Sequence, residues 1–181
     1  MTQLPPAFHD PLTDRSLAAA ALGLPVDRLA DASLPVQVIS CGLPYVLVPL
    51  ATRQAVDDAV VDLRAYGELV RRAPGDASGL FAFSCEPGAD GATVYSRMFA
   101  PVLGVFEDPA TGSASGPAGC YLVRHGLVPP GRAGAIRSRQ GVKMGRPSDV
   151  YIAIGVEGEA IRSVRVGGEA VLAGEGTLYV S

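Results

Sequence analysis

The sequence predicts an α+β domain, on three observations. Up to Gly126, helical and strand-like periodicities follow one another in mixed order. Beyond Gly126 the chain reads almost entirely as strands and turns, each bounded by Gly, Pro or Asp. Between these regions lies Ser113 to His125, whose first seven residues are all small or proline. Small side chains let neighbouring backbone come close, so this segment is predicted as a deeply buried helix. A mixed order of this kind suits α+β better than a regular βαβ alternation. At 181 residues, one domain spanning 1–181 is enough to bury a substantial core.

The first dozen residues contain Pro5, Pro6 and Pro11 and should be extended. Thr13 or Asp14 can then cap a helix whose Leu17 to Leu22 stretch is Ala-rich, with Gly23 as its stop. Val36 and Val38 share one face of a strand, which Ser40 can join. Cys41-Gly42-Leu43-Pro44 turns the chain into a second strand, Tyr45 to Val48. Thr52 caps a helix in which Ala55, Val56, Ala59, Val60 and Leu63 recur at helical spacing. Another helix is expected over Ala65 to Arg72, stopped by Pro74-Gly75. Strands follow at Leu80 to Cys85 and Thr93 to Phe99, joined by the turn Pro87 to Gly91. After the helix Ser113 to His125, with Gly126 as its left-handed end, strands are expected at Ala135 to Arg139, Val150 to Val156, Ile161 to Val166, Ala170 to Leu172 and Leu178 to Val180.

Composition removes several classes of function. A net charge of −3 without any block of like charge gives no concentrated basic face, so nucleic acid is not expected as a partner. The N-terminus lacks the basic and apolar stretches of a signal peptide, and no apolar run approaches the ~20 residues of a membrane helix. No membrane association is expected, and a cytoplasmic location is the default. Cys41, Cys85 and Cys120 form no C-x-x-C pair, and their odd number argues against a disulfide framework; buried packing is their expected role. With His9 and His125 they make no familiar zinc pattern, so no metal is expected. Neither a P-loop nor a dinucleotide fingerprint occurs at a strand–helix junction.

The candidate functional feature is the loop Glu107 to Ala114 (Glu-Asp-Pro-Ala-Thr-Gly-Ser-Ala). A buried helix starting here still has unpaired N–H groups in its first turn. Thr111 and Ser113 are suitable caps, and Gly112 lets a ligand approach the backbone. The open N–H groups and the positive end of the dipole would suit a carboxylate or phosphate. Glu107 and Asp108 precede this anion site, where they would meet an amino group of the ligand or exchange protons with it. The same residues also describe an ordinary helix start, with Asp108 in a capping turn and nothing bound. Spacing alone leaves both readings open.

Two stretches carry a more specific signal. Arg97-Met98-Phe99-Ala100-Pro101 with Gly104 to Ala114, and Gln140-Gly141-Val142-Lys143-Met144-Gly145-Arg146-Pro147-Ser148, together resemble the signature of the PhzF-type phenazine-biosynthesis isomerases, in the same order and at a similar separation. The resemblance implies the diaminopimelate epimerase-like fold: two similar domains, each a curved, mostly antiparallel sheet wrapped around a central helix, with the active site in the cleft between them. Ser113 to His125 would be one of these central helices. It also implies cofactor-independent proton transfer on a small amino- or hydroxy-acid metabolite. Asp108 would be the catalytic acidic residue that contacts substrate, and Thr111, Gly112 and Ser113 the substrate-holding loop. Arg97 and Arg146 match motif positions and equally suit plain salt bridges. No Cys lies in the loop, so the two-thiol chemistry of related epimerases is not expected.

The resemblance covers only the family's second half. The glutamate in a Ser-Glu-Thr-like context and the Gly-His motif of the first domain have no counterpart here. The chain is therefore expected to equal the C-terminal half of a two-domain PhzF-like protein and to supply one wall of an active site. The other wall would come from a separately encoded first-half domain or from a second copy in a homodimer. The alternative is a catalytically inactive small-acid-binding or remnant domain that homodimerises.

Overall fold

Asp14, Thr52 and Asp62 each accept a hydrogen bond from the backbone N–H three residues ahead, at 2.9, 3.0 and 2.8 Å, and so start the three outer helices. The computed structural model describes residues 1–179. In chain order its elements are β1 Thr2–Gln3, β2 Ala7–Pro11, α1 Arg15–Ala21, β3 Gln37–Ser40, β4 Pro44–Pro49, α2 Arg53–Asp58, α3 Leu63–Arg72, β5 Gly79–Ser84, β6 Val94–Ala100, β7 Val105–Asp108, α4 Gly112–Arg124, β8 Ile136–Gln140, β9 Ser148–Glu157 and β10 Ala160–Gly167.

The ten strands form one sheet in the order β1-β10-β9-β8-β6-β5-β4-β3-β2, with β7 paired to β6 off this path. Pairing is antiparallel except for β4 with β5 and β6 with β8. The sheet curls so that strands from both sides of it, β3 and β4 on one and β9 and β10 on the other, contact α4. The expected architecture, a curved and mostly antiparallel sheet around a central helix, is the observed one.

Side-chain alternation divides the core in two. Tyr45, Leu47, Phe81 and Phe83 point inward to α4 and meet Ile136, Val150, Ile152, Ile154 and Val164 from the far strands. Val46, Val48, Leu80 and Ala82 point outward beneath α1, α2 and α3. In α4, Ala114 to Leu122 are all buried. Small residues are required on its β10 and β9 side. A Cβ on Gly116 would come 2.9 Å from Val164 and closer still to the Gln3 side chain, and one on Gly119 would lie 2.5 Å from Ile152.

Four expectations need correction. The Thr52-capped helix ends at Asp58, leaving Val60 and Leu63 exposed. The Arg97 guanidinium accounts for this, since its Nη1 donates to the carbonyls of Val56, Asp57 and Ala59 at 3.1, 3.3 and 2.8 Å. That contact terminates α2 and lets Asp62 start α3 anew. Next, Ala170 to Leu172 is not a strand, and Val171 and Leu172 are exposed. A strand needs a neighbour to bond, and the place beside β10 is held by β1, with Thr2 opposite Arg165. Leu178 and Tyr179 likewise form no strand, and Val180 lies outside the described residues. Lastly, Glu107 and Asp108, expected in a loop, belong to a strand that begins at Val105. Among the described residues, no helix is long and apolar enough to cross a membrane.

Candidate active site

The loop Glu107 to Ala114 runs from the end of β7 into the first turn of α4. Strand alternation sends Glu107 and Asp108 to opposite sides. Glu107 accepts from Arg97 Nε and Nη2, both at 2.8 Å, in a two-pronged ion pair with both side chains about nine-tenths buried. Only Asp108 stands at the helix start, so the expected pair of carboxylates beside the anion site reduces to one.

Asp108 is held from one side. Its Oδ2 accepts from the Thr111 hydroxyl at 2.6 Å. Behind Thr111 lies Gln140, fully buried at the end of β8. Gln140 Nε2 donates to the Asp108 carbonyl at 2.6 Å and to Thr111 Oγ1 at 3.0 Å, while its Oε1 accepts the Thr111 N–H at 3.2 Å. Each polar atom has one consistent role. An amide nitrogen can only donate, so Thr111 Oγ1 accepts from it and must turn its own proton to Asp108. Reversing the amide would set its oxygen against the Asp108 carbonyl, so the network selects the orientation.

Gly141 explains why the second motif adjoins the first. With φ +75° it turns directly beneath the loop, and a Cβ there would stand 2.3 Å from the Arg146 carbonyl and 2.8 Å from that of Pro109. Arg146 itself is exposed and makes no ion pair among the described residues.

Thr111 occupies the N-cap position of α4, but its side chain makes no capping bond, being engaged by Asp108. Ser113 does not cap either; its Oγ lies 2.7 Å from the Tyr45 hydroxyl. Among the described residues the N–H groups of Gly112, Ser113 and Ala114 have no acceptor. Gln3 Nε2 donates to the Gly112 carbonyl at 2.8 Å and fixes the helix start from the N-terminal side. Gly112 and Ala110 also border a hollow of about 520 Å³ with Arg139 and Asp149, whose wall does not include Asp108, Thr111 or Ser113.

The four residues expected at the site are thus brought together, and three more support them: Gln140, Tyr45 and Gln3. Gln140 opens the second motif, just beyond the strand expected over Ala135 to Arg139, and nothing in the sequence marks its partners. Tyr45 and Gln3 carried no signal, because only the tertiary fold brings β4 and β1 to the helix. Away from the site, Cys41 and Cys120 are buried as expected, whereas Cys85 is only partly so.

A family model described as phenazine biosynthesis-like protein matches residues 1–176. The chain belongs to this family. It is 32% identical over 170 residues to the uncharacterized isomerase YddE of Escherichia coli, covering 92% of this chain and 56% of that one. Against a trans-2,3-dihydro-3-hydroxyanthranilate isomerase of Pseudomonas aeruginosa the identity is 36% over 161 residues, covering 89% and 52%. A Bacillus anthracis phenazine biosynthesis protein of the PhzF family superposes with a TM-score of 0.74 at 25% identity, over 93% of this chain and 56% of that one. A predicted epimerase of Pseudomonas aeruginosa gives 0.72 at 30% identity, over 97% and 58%. The fold is accordingly the PhzF and diaminopimelate epimerase-like one. The chain spans about half the length of the curated relatives it matches.

Proposed function

We propose that this chain supplies one wall of the active site of a PhzF-type isomerase, corresponding to the C-terminal half of such a protein. The reaction is a cofactor-independent proton transfer on a small amino- or hydroxy-acid metabolite. The observation that carries this reading is the Asp108 carboxylate, held by Thr111 beside three open N–H groups of a buried helix. A substrate carboxylate would take the N–H groups of Gly112, Ser113 and Ala114, where the helix dipole adds up to ~2 kcal/mol. Asp108 Oδ1 makes no bond among the described residues and would meet the substrate's polar groups on the reacting side. The proton-shuttling glutamate would come from the facing wall.

The facing wall has a surface to dock on. Val102, Leu103 and Phe106 are 58%, 63% and 58% exposed just ahead of Asp108. An apolar strip beside a polar site is suited to being covered. A first-half domain of the family's kind is the proposed cover. The same strip also favours a second reading, in which two copies pair and bind a small acid without turning it over.

The test mixes this chain with the glutamate-bearing half of a family member and follows deuterium uptake from D2O into trans-2,3-dihydro-3-hydroxyanthranilate, with sedimentation of the mixture alongside. A complex with exchange is expected, and Asp108→Asn should lower the exchange rate by about 10²–10⁴-fold. A homodimer that never exchanges with added halves and shows no exchange would favour the second reading. A monomer that pairs with neither would overturn both.

A further inference from the structure

Away from the candidate site, Cys41 and Cys120 lie 79 positions apart in the chain and bring their sulfurs to 3.8 Å. Cys41 follows β3 in the tight turn to β4, and Cys120 sits in the interior of α4. Both thiols are free. Cys120 is fully buried, while Cys41 keeps 6% exposure at the edge of the core. A disulfide needs ~2.05 Å between sulfurs, so the two must close by roughly 1.8 Å. The sulfur that must move is that of Cys41, which lies outside regular structure next to Gly42 at φ +131°. The helix holds Cys120 in place.

We propose that Cys41 and Cys120 form a reversible intrachain disulfide when the chain meets a peroxide, stapling the β3–β4 turn to the central helix. The less buried Cys41 sulfur attacks a peroxide oxygen. An S–O bond forms, the O–O bond breaks, and the departing oxygen leaves as water or an alcohol. Cys120 sulfur then attacks the Cys41 sulfenic acid, the S–S bond forms, and the hydroxyl departs as water with the Cys120 proton. Two electrons pass from the two thiols to the peroxide, and the balance is two thiols plus one peroxide giving one disulfide, water and a second hydroxylic product.

The surroundings assign the order of events. A hydrogen bond from Cys120 lowers the Cys41 pKa, and the same pairing together with burial raises that of Cys120, so Cys41 is the first nucleophile. Burial pushes the Cys85 thiol up to about 11, which leaves it protonated and slow to react. The staple also acts on a hairpin that already touches the helix, since Tyr45 of β4 bonds Ser113 at its first turn. Oxidation would thus tie the same hairpin to α4 at two levels.

The experiment treats the whole chain with hydrogen peroxide, quenches with an alkylating agent under denaturing conditions, and maps peptides by mass spectrometry without reduction. The expected result is a Cys41–Cys120 cross-linked peptide, one alkylation confined to Cys85, a melting midpoint several degrees higher, and reversal of all three by dithiothreitol. Cys85→Ser should leave the cross-link intact. Cys120→Ser should abolish it and leave a dimedone-reactive Cys41. Full alkylation of all three thiols after oxidation, or a cross-link through Cys85 within or between chains, would overturn the proposal.

Discussion

The two ends of α4 are built to opposite rules. At the C-terminal end the carbonyls of Tyr121, Leu122 and Val123 are taken up: His125 N–H donates to Tyr121, Gly126 N–H to Val123, and the N–H groups of Leu127 and Val128 both to Leu122. At the N-terminal end the residues able to cap the helix are diverted elsewhere, Thr111 to Asp108 and Ser113 to Tyr45, and three N–H groups stay open among the described residues. Helix ends with free groups cost stability unless something satisfies them. The end left open, with a carboxylate fixed beside it, is the one proposed above to take a ligand.

The contrast can be broken first at Glu107. Its ion pair with Arg97 fixes β7, and so the position of Asp108, while Arg97 also ends α2. Glu107→Ala would leave a buried guanidinium without its counter-charge, at a cost of about 3–5 kcal/mol. Chemical denaturation should show this loss. Glu107→Gln, which keeps one acceptor, should show less.

Gln140 tests the open end more directly. Gln140→Leu keeps volume but removes the donor that directs the Thr111 hydroxyl and leaves the Asp108 carbonyl unpaired. A loss of about 1–3 kcal/mol is expected in denaturation. Freed from Gln140, Thr111 can turn to cap the helix, so binding of a small carboxylic acid, read by calorimetry, should weaken beyond what the stability loss explains. Unchanged binding would mean that the network serves only the fold.

Gly126 is the matching test at the closed end. It has φ +71°, and a Cβ there would meet nothing within 4 Å. Gly126→Ala therefore isolates backbone strain, a cost of about 1 kcal/mol, without any clash. Thermal melting should fall by a few degrees, and acid binding at the far end should not change.

How much of this was legible in the sequence follows the same division. The closed end was: Gly126 after a helical run is a local signal, as were the caps Asp14 and Thr52 and the small residues of α4. Local chemistry decides such features, so one window of residues contains them. The open end was legible only as a list of residues. Asp108, Thr111, Gly112 and Ser113 stand in one window with Glu107, and only β7, as a strand, separates Glu107 from Asp108. The role of Gln140 depends on β8 lying parallel to β6, with Ser96 opposite Gln140. The length of α2 depends on an arginine some forty residues away. No periodicity encodes a pairing between distant segments, and these are the features that periodicity missed.

The smallest expected effect is one of pH, again at the closed end. His125 Nε2 lies 2.9 Å from Gln37 Oε1, and Gln37 Nε2 donates to the His9 carbonyl at 2.7 Å. The Gln37 amide is thereby oriented, so His125 must donate from Nε2 in its neutral form. Burial first, then the neighbouring Arg124 charge, holds its pKa below the usual histidine value. The unfolded chain therefore binds this proton more readily than the folded one. The resulting stability is fully present above the unfolded value of ~6.5 and is lost as pH falls through the folded value. Between pH 7.5 and 5.5 the melting temperature should fall more for the native chain than for His125→Gln, which presents a donor without a titrating charge. Equal slopes would show that the histidine keeps its ordinary affinity for the proton, and that the closed end of the helix is indifferent to pH.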